Sequence, residues 1–292
     1  MHGTFEEAVS ETHYLFLSLE RSSFLPISKY GHKTSMSTLV ALAGLFFAAT
    51  AAGVINSVAG GGTLISFPSL VAFGEPEIIS NATNTAAMWP GSLSSAFGYR
   101  KDTTIRRGLL ATLAIPSLLG GLLGAVILVI TPAETFKHIV PFLVLFATLV
   151  FASRDILARR FGGAPALEGH VTTAGRIWGA LFQLFVATYG GYFGAGIGIL
   201  MLGSLSLMGM RDIHEMNAIK TPLTTIINVT AFAFFAIKGL VAWPLAILMA
   251  VGAIIGGYAG ARLAKRANPR FVQFAVVAIG LLVSVWFFIT LL

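Results

Sequence analysis

Long apolar runs recur along almost the whole chain, and this feature leaves few choices of fold. Hydrophobic residues make up 56% of the 292 positions and charged residues only 11%, whereas roughly 25% of residues are charged in an ordinary soluble domain. With a mean hydropathy of +0.84, the chain has too few polar residues to cover a water-facing surface. The sequence therefore predicts an all-α membrane protein, because a helix satisfies its own backbone hydrogen bonds within lipid.

Eight of these runs have about the 20 apolar residues that a crossing of the bilayer requires. They are Ser37–Val58, Ser80–Tyr99, Gly108–Ile130, His138–Ser153, Ile177–Phe193, Met216–Ile237, Val241–Ala261 and Phe271–Leu291. Two shorter runs, Thr63–Phe73 and Ile197–Met210, each follow a glycine-rich stretch. About ten hydrophobic segments are therefore expected. The first two segments of each half of the chain either cross the membrane fully or form a hairpin of shorter helices inside it.

The two halves of the chain align with each other without a gap, so that Ala59–Ala125 falls on Ala195–Ala261. Polar and glycine positions stay in phase: Gly60, Gly62, Asn81, Gly120, Gly121 and Gly124 match Gly196, Gly198, Asn217, Gly256, Gly257 and Gly260. Chance alignment of apolar residues would not preserve these matches, so the sequence indicates a duplication. Within each half, Gly120 and Gly124, and likewise Gly256 and Gly260, are four residues apart. This spacing favours close helix packing rather than substrate binding.

Basic residues cluster in three loops, Arg100–Arg107, Arg154–Arg176 and Arg262–Arg270, and the positive-inside tendency places these loops in the cytoplasm. Five segments per half put all three loops on one side and both termini outside. The second half then starts from the opposite side, so that two inverted five-segment repeats are predicted, the second segment of each being short and glycine-led. The predicted units are a peripheral extension (1–36), repeat 1 (37–153), a cytoplasmic linker (154–176) and repeat 2 (177–292).

One run has a second interpretation. Leu39–Ala52 resembles a signal peptide that ends in a cleavage site at Ala49-Thr50-Ala51. A run of the same kind recurs internally at Ile177–Phe193, which favours a membrane segment in both places.

Inverted repeats with interrupted segments in matching places are typical of transporters that bind substrate near the bilayer midplane. Glycine turns expose backbone N–H groups there, and the helices that follow direct their positive ends toward a bound anion. The candidate substrate-binding residues are Asn56, Gly60, Gly61, Gly62, Thr63, Asn81, Asn84, Thr85, Gly194, Gly196, Gly198, Asn217, Lys220 and Thr221. The alternative for each threonine is a hydrogen bond to its own helix four residues back. The alternative for Lys220 is a side chain that extends to the membrane surface.

No predicted span contains an aspartate or glutamate, although cation transporters commonly place carboxylates at depth. Hydrogen-bond donors without carboxylates favour an anionic substrate. The chain has no cysteine and no His-Glu-x-x-His motif, and His138, His170 and His214 lie at span ends or in loops. We therefore expect no enzymatic activity, metal site or cofactor.

The run from Ala59-Gly60-Gly61-Gly62 to Phe67-Pro68, followed by Asn81-Ala82-Thr83-Asn84 and Pro90-Gly91-Ser92, resembles the first repeat of the TauE/SafE sulfite exporters. The stretch from Gly194 to Gly198, with Trp243-Pro244 later, is similar to the second repeat of that family, and the resemblance covers about residues 38–290. It implies transport of sulfur-containing anions such as sulfite and sulfonates, mostly outward. Two departures bear on the substrate: Thr85 stands where the family often has a basic residue, and Lys220-Thr221-Pro222 replaces a more neutral pattern.

The sequence thus predicts a multi-pass secondary transporter of the cytoplasmic (inner) membrane that exports a small anion, either a sulfur oxyanion or an organosulfonate. A passive anion channel and a transporter for a different small organic anion are the alternatives. The expected partners are the anion and the lipid bilayer, and no nucleic acid is expected. Uniport and proton-linked transport both stay open, as does assembly into a homo-oligomer.

Overall fold

A computed structural model describes residues 36–58, 60–99, 107–153, 173–208, 210, 213–263 and 269–291. These residues form ten α-helices and no strand. In chain order the helices are α1 (Met36–Val58), α2 (Thr63–Phe73), α3 (Glu77–Tyr99), α4 (Arg107–Ile130), α5 (Ala133–Ala152), α6 (Thr173–Tyr192), α7 (Ile197–Leu207), α8 (Ile213–Ile237), α9 (Trp243–Leu263) and α10 (Pro269–Leu291). Residues 1–35 of the predicted extension, residues 154–172 of the predicted linker and most of the three basic loops lie outside the described residues.

The ten segments expected from the sequence are present, and some helices start earlier than the apolar runs. The helix α5 begins at Ala133 instead of His138, with Pro132 immediately before it and Glu134 in its first turn. The helices α3 and α8 likewise start with an acidic residue in the first turn. Acidic side chains stabilise the positive end of a helix but break an apolar run, so hydropathy alone misses these first turns.

The helices of the two halves correspond in order and position. The alignment of the halves places the first residues of α3, α4 and α5 on the first residues of α8, α9 and α10. The short helices depart slightly, because Thr63 at the start of α2 is aligned with Ile199, whereas α7 begins at Ile197. Both short helices have 11 residues, which at 1.5 Å per residue cover about half of a hydrocarbon core about 30 Å thick.

Six of the described helices are long and apolar enough to cross a membrane. These spans are Met36–Val58, Gly108–Ile130, Ala133–Ala152, Glu215–Ile237, Trp243–Arg262 and Gln273–Leu291. The predicted spans in α3 and α6 are not among these six. The reason for α3 is its interior position: it carries Ser80, Asn81, Thr83, Asn84 and Thr85, all of which are buried within the helical bundle.

The halves pack against each other through their fourth helices. The helix α9 lies against α1 and α3, and α4 lies against α6 and α8, so that each fourth helix contacts the first and third helices of the other half. Glycine makes this possible, as the sequence predicts. A methyl group added at Gly121 would lie 3.0 Å from the carbonyl oxygen of Ile227, and the equivalent Gly257 is also packed tightly against Gly91.

The order of contacts along these helices gives their relative direction. A Cβ added at Gly252 would lie 2.6 Å from the carbonyl oxygen of Phe46, and a Cβ at Gly260 would lie 2.8 Å from that of Val54. Contacts thus advance together along α1 and α9, so these two helices run parallel. The equivalent pair α4 and α6 is also parallel, with Gln183 Nε2 donating to Ser117 Oγ at 2.8 Å and Gly124 packed further along against Thr188.

Candidate functional site

A polar pocket lies where the two halves meet. The pocket is narrow and partly open. Its walls come from the end of α1, the second half of α3, the first turns of α8 and the two glycine turns. The lining residues are Gly53, Asn56, Ser57, Gly60, Met88, Gly91, Ser92, Ser95, Gly198, Lys220, Thr221 and Thr224. Among these lining residues there is one cation and no carboxylate.

The glycine turns of the two halves touch at this pocket. Gly60 has φ of 87°, and its equivalent in the second half, Gly196, has φ of 76°. L-residues with a side chain rarely adopt this conformation, which explains glycine at both places. A Cβ added at Gly60 would lie 2.6 Å from the Cα of Gly198, and the reverse distance is also 2.6 Å. Only glycine therefore fits on either side of this contact.

Lys220 supplies the charge of the pocket. Its side chain is 2% exposed and turns into the bundle, and its Nζ donates a hydrogen bond to the backbone oxygen of Asn56 at 3.4 Å. That oxygen belongs to the last turn of α1, where the carbonyl groups have no partners within the helix. The ammonium group therefore joins the third helix of one half to the first helix of the other.

The threonine hydroxyls in and near the site bond to their own helices. Thr85 Oγ1 donates to Asn81 O at 2.9 Å, and Thr221 Oγ1 donates to Asn217 O at 2.7 Å. Thr224 Oγ1 donates to Lys220 O at 2.9 Å. This is the alternative that the sequence left open for Thr85 and Thr221.

Among the described residues, three buried asparagine side chains have an amide oxygen without a hydrogen-bond partner. They are Asn81, Asn84 and Asn217, which are 0%, 2% and 4% exposed. The Asn81 Nδ2 group donates to Tyr192 O at 2.8 Å. An acceptor left unpaired in the interior costs about 1–3 kcal/mol, so such groups are rare unless something else binds to them.

The structure divides the predicted site residues into two groups. Those that line the pocket are Asn56, Gly60, Gly198, Lys220 and Thr221. Those that do not are Gly61, Gly62, Thr63, Asn81, Asn84, Thr85, Gly194, Gly196 and Asn217. The nearest neighbour of Gly61 outside its own turn is the ring of Phe151, where an added Cβ would lie 2.5 Å from Cε2. Substitution of Gly61 therefore tests packing rather than contact with the pocket.

The sequence missed the contribution of α3 to this pocket. Met88, Gly91, Ser92 and Ser95 are lining residues that were not among the candidates. Their spacing of three and four residues places them on one face of the helix. Two serines and a glycine on one face of a membrane helix are a signal that could have identified this wall.

The repeat relates the pocket to a second position that is filled. The same alignment, extended toward the N-terminus, places Gly53, Asn56 and Ser57 on Tyr189, Tyr192 and Phe193. These aromatic residues pack against further rings. Tyr189 lies 5.6 Å from Phe146, Tyr192 lies 5.7 Å from Phe136, and Phe193 lies 5.2 Å from Phe67, measured between ring centroids. The two halves thus place space on one side of the interface and aromatic rings on the other.

Within the described residues, no group of three or more His, Cys, Asp or Glu side chains is arranged to bind a metal ion.

Known proteins resemble this chain over most of its length. The family model described as "Sulfite exporter TauE/SafE" matches residues 45–287. The chain is 30% identical to the "Probable membrane transporter protein ORF9" of a Sinorhizobium species over 84% of this chain and 91% of that protein. It is 26% identical to a "Probable membrane transporter protein" of Haemophilus influenzae over 83% of this chain and 92% of that protein. It is also 26% identical to the "Probable membrane transporter protein YfcA" of Escherichia coli K12 over 82% of this chain and 87% of that protein.

No solved structure matches the chain significantly. The family model spans well over half of the sequence, and the spans found among the described helices are those of a multi-pass membrane protein. The motifs that carry the resemblance, from Ala59 to Ser92 and from Gly194 to Gly198, fall within the matched range. The chain is therefore a membrane transporter that belongs to the TauE/SafE sulfite exporter family.

Proposed function

We propose that this protein is a secondary transporter that moves a small sulfur oxyanion or an organosulfonate, such as sulfite, outward across the cytoplasmic membrane. The observation that carries the proposal is the buried ammonium group of Lys220 in a pocket whose lining has no carboxylate. A buried cation beside such a cavity attracts an anion, because a bound anion offsets part of the cost of removing the charge from water. The family description supplies the sulfur chemistry.

The position of the pocket along the helices supports binding of the anion from the cytoplasmic side. Ser92 and Ser95 lie in the last turns of α3, which ends at Tyr99 just before the basic loop predicted to be cytoplasmic. Lys220 lies two turns into α8. An anion that enters from the cytoplasm therefore reaches the lysine without crossing the outer half of the bundle.

We also propose that the two halves are inverted repeats, with the boundaries given by the sequence. Helices that cross a membrane in succession alternate in direction, so the first and fourth helices of one half run opposite ways. The parallel packing of α1 with α9, and of α4 with α6, pairs the first helix of each half with the fourth helix of the other. This pairing supports opposite orientations of the two halves and a substrate pathway between them.

The same site bears on enzymatic activity and on binding partners. A pocket that offers one cation, one side-chain amide and hydroxyl groups suits binding and release, and we propose no enzymatic activity. The partners are the anion and the lipid bilayer, without nucleic acid.

Counterflow in proteoliposomes tests this function. Purified full-length protein is reconstituted with unlabelled sulfite inside, and the entry of labelled sulfite is followed over time. A carrier gives transient, saturable accumulation of label above equilibrium, whereas a passive channel gives only simple equilibration. Accumulation of sulfate or acetate but not of sulfite would show that the substrate is a different anion. If no anion accumulates, the proposed function is wrong.

A further inference from the structure

Three of the hydroxyl groups that line the pocket already use their protons inside the protein. Thr221 Oγ1 donates to Asn217 O at 2.7 Å, and Thr224 Oγ1 donates to Lys220 O at 2.9 Å. Ser95 Oγ donates to Ser57 Oγ at 2.8 Å. A hydroxyl group has one proton and two lone pairs. These three donor hydroxyls therefore present lone pairs, not protons, to whatever enters the pocket.

A further acceptor lies beside them. Asn217, Lys220, Thr221 and Thr224 are separated by three and four residues, so they share one face of α8. The amide oxygen of Asn217 is buried and has no hydrogen-bond partner. It lies one helical turn before Thr221 and outside the lining. This face of α8 thus combines one ammonium group with three oxygen acceptors.

This combination discriminates between anions. An anion without a proton gains the attraction of Lys220 but places its own oxygen lone pairs against those of Thr221 and Thr224. An anion that carries a hydroxyl group can place its negative group at Lys220 and donate the hydroxyl proton to one of these oxygens. Charge and hydrogen bonding are then satisfied together.

We infer that the pocket selects anions with a hydrogen-bond donor of their own, namely a protonated oxyanion such as hydrogensulfite or a hydroxyalkanesulfonate. This inference rests on the proposed function and specifies the substrate class of the same site. Lys220 receives the anionic group, and Thr221 and Thr224 accept the proton of the donor. The threonines thereby determine specificity, while the lysine determines charge.

The test compares 2-hydroxyethanesulfonate with 1-propanesulfonate, which have the same number of non-hydrogen atoms and the same charge. Binding of each to the purified full-length protein is measured by isothermal titration calorimetry. We expect the hydroxylated anion to bind about threefold to tenfold tighter, the value of one hydrogen bond between neutral groups. In the double variant Thr221→Val, Thr224→Val the two anions should bind equally well.

Two further variants make the outcome specific. Thr230→Val is the matched control, because Thr230 also lies on α8 and donates to its own helix, to Ile226 O at 2.8 Å, but does not line the pocket. It should keep the preference for the hydroxylated anion. Thr221→Ser, Thr224→Ser retains both oxygens and should keep the preference as well, even if the valine variant proves difficult to fold.

The possible results separate this inference from the proposed function. Equal affinities in the unmodified protein would overturn the inference while anion binding, and with it the proposed function, stands. A preference that survives in the valine variant would overturn the assignment of the two threonines. If neither sulfonate binds and sulfite shows no counterflow, the inference fails together with the proposed function.

Discussion

The Nζ atom of Lys220 lies 3.4 Å from the backbone oxygen of Asn56, and this hydrogen bond joins the third helix of the second half to the first helix of the first half. The repeat places Asn84 at the position equivalent to Lys220, and Tyr192 at that equivalent to Asn56. The backbone oxygen of Tyr192 also accepts a side-chain hydrogen bond from the other half, in this case from Asn81. Both halves therefore use the end of the first helix in the same way, but only one of them uses a charged donor.

Removal of this charge should weaken anion binding. We expect Lys220→Met to raise the dissociation constant for sulfite by about tenfold to a hundredfold, since a hydrogen bond to a charged group contributes about 1.5–3 kcal/mol. Lys220→Arg should retain part of the affinity because it keeps the charge but changes the donor geometry. Isothermal titration calorimetry gives the constants, and size-exclusion chromatography gives the yield of folded protein.

The control for this experiment is Lys238→Met. Lys238 is exposed beyond the end of α8 and lies 5.7 Å from the ring centre of Phe234. Its loss should leave sulfite affinity unchanged. Equal effects of the two substitutions would show that net charge, rather than the pocket, determines affinity.

The driving force for transport depends on how the pocket neutralises its anion. A pocket that neutralises its anion with Lys220 need not load a cation, so we expect uniport. The inside-negative potential then favours export by about 2.3 kcal/mol per charge per 100 mV. Sulfite flux from proteoliposomes should respond to a potassium diffusion potential without a sodium or pH gradient. Strict dependence on a pH gradient, with no response to voltage, would indicate that the proton travels with sulfite.

The contact between the glycine turns should be required for transport. In Gly198→Ala the new Cβ would lie 2.6 Å from the Cα of Gly60, so the turns must separate. We expect counterflow to fall about tenfold or more, because Gly60 and Gly198 line the pocket and would be displaced. The substitution should also lower the free energy of unfolding by about 1–3 kcal/mol. Gly203→Ala is the control, since it lies in the same helix and has nothing within 4 Å of the added atom. Unchanged counterflow in Gly198→Ala would contradict a role for this contact.

Topology can be measured with single cysteines, because the chain contains none. Lys265→Cys lies in a loop predicted to be cytoplasmic, so an impermeant maleimide should not label it in intact cells and should label it after permeabilisation. Lys238→Cys lies in a loop predicted to be external and should be labelled at once. Labelling of Lys265→Cys from outside would exclude the scheme with five segments in each inverted half.

The sequence predicted the helices better than it predicted the pocket, for a physical reason. Lipid requires long apolar runs, and duplication repeats them, so helix number and order follow from hydropathy and the internal repeat. The wall formed by Ser92 and Ser95 depends on which face of α3 turns toward α8. That rotation is determined by packing against α9, where Gly91 meets Ala253. The spacing of Gly91, Ser92 and Ser95 shows that these residues share a face of α3, but it does not show which helix that face meets.

Polarity was also a poor guide to which asparagines would face the pocket. Asn56 lines it at the end of α1, whereas Asn81 donates to the backbone of Tyr192 and lies outside the lining. Both are polar residues in apolar surroundings. The sequence around them does not indicate which of the two faces the pocket. The distinction arises only in the folded bundle, where Asn81 meets the backbone of Tyr192 and Asn56 meets the pocket.

The aromatic residues opposite the pocket have a consequence for the transport cycle. If the halves exchange their shapes during transport, the space now beside Asn56 would have to open beside Tyr192, and the rings of Tyr192 and Phe193 would have to leave Phe136 and Phe67. Each such pair of rings contributes about 0.5–1.5 kcal/mol beyond the burial of its surface. The two ends of such a cycle would differ in energy even without substrate, and we expect the conformation with the space beside Asn56 to be the more populated one.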